Sequence, residues 1–140
     1  MHHADLVQSI FKEAAILKKL EHSNIIRLFH AFIQKTQLVL IMEYSEGGQL
    51  LDYVRRKGRL PEAEVQQLML QIFRAVNYCH RMGVIHRDLK LENILFWDKA
   101  HTRIKVVDFG IAGVCRTHER DKSDAGTIKY MSPEVSRSLS

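Results

Sequence analysis

Apolar side chains return every three or four residues from Leu6 through Ile10 and Ala14 to Leu17 and Leu20, with Val7 beside them. That spacing marks one face of an α-helix, so Asp5 to Leu20 is predicted to be amphipathic. Glu13 falls on the same stripe. A carboxylate there needs a cationic partner, or else it lies at the edge of the stripe and reaches solvent. The next two runs, Ile25 to Ile33 and Gln37 to Tyr44, are rich in β-branched and aromatic residues around the polar Gln34-Lys35-Thr36, the pattern of an antiparallel hairpin. Ser45-Glu46-Gly47-Gly48 interrupts the pattern and reads as a connection.

Helical spacing resumes at about Gln49 and runs to Lys57, with Gly58 as the natural C-cap, and Pro61 opens a further helix. In that helix Val65, Met69, Ile72, Val76 and Cys79 are expected to be buried, and Gln67, Gln71, Arg74, Asn77 and Arg81 wet, until Gly83 ends it. Three short strand-like runs follow, Val84 to His86, Ile94 to Phe96 and Ile104 to Val107, each with charged or amide residues after it. From Gly110 to Ser140 no periodicity persists; this reads as a long loop, and loops of that length are usually functional.

Composition narrows the classes. With 46% hydrophobic and 26% charged residues in 140, the chain resembles an ordinary single globular domain. The densest apolar block, Leu38 to Met42, is five residues long, far below the roughly 18 that a membrane span needs, so no membrane role is expected. Nor do the first twenty residues carry the order of a secretory signal. Two distant cysteines, Cys79 and Cys115, offer neither a disulfide framework nor a zinc site, which fits a reducing cytoplasmic or nuclear setting. The eight histidines lack ligand spacing and read as scattered surface residues. A net charge of +5 is spread along the chain instead of forming a stripe, so nucleic acid is not an expected partner.

Two polar clusters stand out: His86-Arg87-Asp88-Leu89-Lys90-Leu91-Glu92-Asn93, and Asp108-Phe109-Gly110 fifteen residues beyond Asn93. The first matches the catalytic-loop pattern H-R-D-L-x-x-x-N and the second D-F-G, in order and joined by two short strand-like runs. The chain thereby resembles a eukaryotic protein kinase. The same pattern accounts for Glu13 in Glu-Ala-Ala-Ile-Leu-Lys-Lys-Leu, for Met42-Glu43-Tyr44 before Gly47-Gly48, and for Gly126-Thr127 before Tyr130-Met131-Ser132-Pro133-Glu134. Lys90 and the ending Gly-Thr-x-x-Tyr-Met-Ser-Pro-Glu are similar to serine/threonine kinases, and within them to the calcium/calmodulin-dependent kinase-like group.

What the resemblance implies is specific. The fold would be the bilobal α+β kinase fold, cut at both ends: small-lobe residues 1–43 with helix C and two strands, a hinge at 44–48, and large-lobe residues 49–140 ending with the activation segment. The cofactors would be ATP and Mg²⁺, and the substrate a protein serine or threonine. Asp88 would accept the proton of the substrate hydroxyl, and Lys90 would put a positive charge beside the transferring phosphoryl group. Asn93 and Asp108 would supply the hard oxygen ligands that Mg²⁺ prefers. Glu13 would hold the ATP-contacting lysine, Met42 would be the gatekeeper, Glu43 and Ser45 would offer backbone groups to the adenine edge, and Leu95 would form the floor beneath the ring. Arg87 is typical of kinases switched on by an upstream kinase, with Ser123 where that phosphate usually goes; Thr127 would suit contact with the catalytic loop and substrate hydroxyl.

The departures matter as well. Only twelve residues precede Glu13, and they contain neither a glycine-rich loop nor a V-A-I-K lysine; six follow Glu134. Gln49 replaces the acidic residue that commonly follows the paired glycines, which leaves Glu92 as a carboxylate for any upstream arginine of a substrate. The expectation is therefore a kinase fragment with little activity alone, and the alternative a catalytically inactive kinase-like binding or scaffold protein.

Overall fold

The computed structural model describes residues 3–86 and 88–107. Helix α1 spans His3–Leu17, followed by strands β1 (Leu28–Gln34) and β2 (Gln37–Met42), helices α2 (Leu50–Lys57) and α3 (Glu62–Arg81), a 3₁₀ turn at Leu91–Asn93, and strands β3 (Ile94–Phe96) and β4 (Ile104–Val106). The arrangement is α+β, with helix and hairpin first and a helical half built around a second hairpin.

β1 and β2 pair antiparallel from Leu28↔Met42 to Gln34↔Gln37, with an irregularity between Leu28 and His30. The turn is the two residues Lys35 and Thr36, and Lys35 takes a positive φ of 57° to close it. The strand begins at Leu28 rather than Ile25, because residues 24–26 are used elsewhere. Ile25 makes a parallel bridge to Val106, Val106 N–H donates to Asn24 O at 2.8 Å, and Ile26 N–H donates to Val106 O at 3.0 Å. β4 is therefore covered on both edges, by β3 on one side and by this short segment on the other.

α1 stops at Leu17, not Leu20: Lys19 and Leu20 bond three residues back, the tighter closure common at helix ends. Gly58 caps α2 with φ 75° and its N–H on Val54 O at 2.8 Å, and Pro61 stands as the N-cap of α3. In α3 the buried stripe is Leu68, Ile72, Ala75 and Cys79, while Val65 and Met69 are 39% and 37% exposed. At 100° per residue this face is rotated by about 50° from the one predicted. Both faces are apolar, and which of them is covered depends on what packs there, so periodicity could not choose between them. Val84 to His86 forms no strand. Val84 N–H closes the helix end on Cys79 O instead, and the His86 ring is drawn inward.

Two cores result. The larger contains Leu20, Ile25, Leu50, Tyr53, Ile72, Cys79, Ile94, Phe96, Ile104 and Val106, and the smaller contains Ile10, Ala14 and Leu28. Leu17 packs against both. Cys79 lies in the larger core with no exposed surface, and burial pushes its thiol up from 9.0 to about 11. Such a thiol is inert. In the native protein at pH 8 a thiol-disulfide reagent is expected to leave Cys79 unmodified, and in denaturant to modify it within minutes. Because the folded pKa is raised, the thiol's contribution to stability is complete below pH 9 and is lost as pH rises toward 11.

Candidate active site

After Gly83 turns the chain with φ 77°, buried Val84 anchors it and His86 follows at 4% exposure. The His86 ring does two jobs. Its Nδ1 accepts the backbone N–H of Asp88 at 3.0 Å, and its Nε2 contacts the carbonyl of Val107 at 2.7 Å. A carbonyl can only accept, so Nε2 carries the proton and the ring is the neutral tautomer. The expectation of surface histidines fails here, since this one is a buried joint between two loops. Val107 is held at its other end too, its N–H donating to Asn93 O at 2.9 Å. The last described residue before Asp108 is thus fixed through both of its backbone groups.

Asp88 is buried, and the residues predicted with it converge on it. Asn93 Nδ2 donates to Asp88 O at 2.8 Å and approaches Oδ2 at 3.4 Å, while Lys90 Nζ lies 3.6 Å from Oδ2. The 3₁₀ turn makes this possible by folding Asn93 back, its N–H donating to Lys90 O at 3.0 Å. An ammonium and an amide therefore converge on one buried aspartate. With the Asn93 nitrogen turned to Asp88, the amide oxygen is the atom with metal-ligand chemistry, and it fits a hard cation such as Mg²⁺.

The residues predicted for the adenine edge also contact the β3–β4 hairpin. Glu43 donates its N–H to Arg27 O at 2.8 Å, so of its two backbone groups the carbonyl is the one left to meet a base. Its carboxylate accepts from Arg27 N–H at 3.2 Å and lies 3.3 Å from Lys105 Nζ, a side chain buried on β4 with Trp97 beneath it at 4.7 Å. Ser45 Oγ–H and Gly47 N–H both donate to Phe96 O, at 2.7 and 2.9 Å, and Phe96 N–H donates to Gly48 O at 2.9 Å. His101 Nε2 adds a bond to Gly47 O at 3.1 Å, its ring held between Tyr53 and Phe96. Leu95 is half-buried in β3, paired with Lys105, and Met42 ends β2 partly exposed. Glu13 is placed in α1, but its side chain lies outside the described residues, as do Arg87, Asp108, Ser123 and Thr127.

Behind Glu43 a cavity of about 300 Å³ is lined by His22, Arg27 and Lys105 among others. Burial, then the charges of Lys105 and Arg74, hold the pKa of His22 below 6.5, and its Nδ1 accepts Asn24 N–H at 3.0 Å. The folded pKa is depressed, so the stability His22 contributes is present above pH 6.5 and lost as the pH falls through the folded value. Melting scans from pH 7 to 5 should show a falling midpoint, and His22→Asn, which keeps an acceptor but does not titrate, should flatten that fall.

Sequence reasoning missed His86, Lys105, Gly47 and Gln71. His86 lay within a recognised run, and a lysine inside the apolar run Ile104 to Val107 was a signal, since a buried charge needs a partner. For Gly47 and Gln71 the reason appears only when distant segments meet.

Comparison with known proteins adds an independent line. The family model described as the protein kinase domain matches residues 2–139. Over 126 residues the chain is 42% identical to the probable serine/threonine-protein kinase HSL1 of Saccharomyces cerevisiae, covering 90% of this chain and 8% of that one. It is 37% identical over 132 residues to calcium-dependent protein kinase 5 of Plasmodium falciparum, covering 94% and 23%. A crystal structure of Rad53 1–466 in complex with AMP-PNP superposes with a TM-score of 0.79 at 33% identity, over 93% of this chain and 32% of that one. The chain thus spans less than a third of each of these relatives.

Proposed function

Because the chain belongs to the protein kinase family, on its serine/threonine side, we propose that it is the central part of an enzyme that moves the γ-phosphoryl group of ATP to a protein serine or threonine. The observation that carries this reading is the convergence of Lys90 and Asn93 on buried Asp88, with Val107 pinned beside them. Mg²⁺, when bound through Asn93 and Asp108, supplies charge neutralisation at the phosphates. The rest falls to the chain's own side chains. Asp88 orients the substrate hydroxyl and takes its proton as the oxygen bonds to phosphorus and the bond to the departing ADP breaks. Lys90 holds positive charge beside the phosphoryl group in flight. The Glu43 carbonyl and the Ser45 backbone meet the adenine edge, Met42 and Leu95 bound the ring, and Glu13 is the residue that would hold the ATP-contacting lysine. In this reading the small lobe is 1–43, the hinge 44–48 and the large lobe 49–140. Phosphate placed on Ser123 by an upstream kinase pairs with Arg87 and orders the segment that carries Thr127. The free buried thiol of Cys79 fits a reducing, intracellular setting, and no helix among the described residues is long and apolar enough to cross a membrane.

A second reading is a kinase-like scaffold without turnover, which would use the same fold to hold a protein partner. The test expresses the chain alone and with the sequence that flanks it in its gene, and measures phosphate transfer from Mg²⁺-ATP to a serine/threonine peptide mixture. Transfer by the longer protein with little by the 140 residues supports the enzyme. No transfer by either, with a bound protein partner retained, supports the scaffold.

A further inference from the structure

The predicted wet face of α3 hides a side chain that uses its whole hydrogen-bonding capacity. Gln71 Oε1 accepts from Asn24 Nδ2 at 3.0 Å and from Ile104 N–H at 2.9 Å, while Nε2 donates to Thr102 O at 2.9 Å and to Gln67 O at 3.3 Å. Asn24, itself buried, passes its second amide hydrogen to Ile104 O at 3.1 Å. One amide on a rigid helix thereby grips the start of β4 and the loop that follows α1.

We propose that Gln71 is a positioning residue for the catalytic segment: it sets where β4 delivers Val107, and through Val107 the mutual placement of His86, Asp88 and Asn93. β4 is short and covered on both edges, so it shifts as a unit. Val106 is tied to Asn24 and Ile26, and the next residue, Val107, bonds Asn93 O and the His86 ring. A displacement at Ile104 is carried to Val107, three residues or about 10 Å along an extended chain. The same amide ties the loop after α1, the helix that carries Glu13, to the strand that leads into Asp108. Gln71 makes no contact with the catalytic loop itself in these bonds; it acts only through β4.

The inference depends on the phosphotransfer reading for what is being positioned, but the positioning can be read without any turnover. Amide hydrogen exchange is measured by NMR on the 140-residue chain and on Gln71→Met, which keeps length and loses all four bonds. Local loss alone would speed exchange at Ile104, whose N–H loses its partner. A positioning role predicts at least tenfold faster exchange also at Val107 and Asp88, which Gln71 does not touch, with the α3 amides of Ile72 to Cys79 unchanged as the internal reference. Asn24→Ser, the milder variant, should accelerate the same distant amides, and the double variant should add little, because both act through one linkage. Acceleration confined to Ile104, or acceleration of α3 in step with Val107, would overturn the proposal.

Discussion

Asp88→Asn in the protein with its flanking sequence is expected to lower kcat for phosphoryl transfer about a thousandfold, within the range that a positioned proton acceptor contributes. The replacement is nearly isosteric and leaves the backbone carbonyl that receives Asn93 Nδ2 at 2.8 Å, so the loop keeps its shape and melting should move little. What changes is charge and basicity. An amide cannot take the hydroxyl proton, and Lys90, 3.6 Å from the lost carboxylate, is left without its counter-charge in a half-buried setting. KM for ATP should stay within a few-fold, since none of the predicted adenine contacts involves Asp88. Should kcat fall less than tenfold in the folded variant, the proton has another acceptor and the assignment of Asp88 is wrong.

The second large effect is on folding. Gly47→Ala is expected to cost about 3 kcal/mol or more, the upper range for forcing atoms into packed space. A β-carbon at Gly47 would stand 2.3 Å from Asp98 O and 2.4 Å from Phe96 Cβ. Neither neighbour can yield cheaply: one is backbone, and the other belongs to a ring with no exposed surface. Gly48 provides the control, because it has open space around it and needs glycine only for a φ of 79°. Gly48→Ala should cost about 1–2 kcal/mol, the strain of a left-handed residue. Chemical denaturation of both variants separates the two causes, and equal losses would refute the close-approach account of Gly47.

Local chemistry was legible and assembly was not. The hairpin about Lys35-Thr36, the helix-ending glycines Gly58 and Gly83, and the catalytic-loop run are written in neighbouring residues, so a linear reading finds them. The face of α3 was misread because Val65 and Met69 are as apolar as Leu68 and Ala75, and only the packing of β4 and its neighbours distinguishes them. Gln71 looked wet for a related reason: its partners Asn24, Thr102 and Ile104 come from other parts of the chain. Of the candidate site, Asp88, Lys90 and Asn93 were recognisable as a cluster because a single tight turn gathers them. Lys105 and His86 acquire meaning only when hinge, strand and loop are brought into contact.

The seam between residues 24–26 and β4 has a consequence during synthesis. Asn24 and its partner Ile104 are separated by 80 positions, and Val106 emerges later still. At about 5–20 residues per second a ribosome needs about 4–16 s to make that intervening length. Between the emergence of Asn24 from the ribosome and that of Ile104, which is the same interval, Leu20 and Ile25 still lack the strand that will bury them. Nascent α1 and the first hairpin are thus exposed to chaperones and to neighbouring nascent chains for seconds, and a pause in translation before codon 106 would lengthen that vulnerable window.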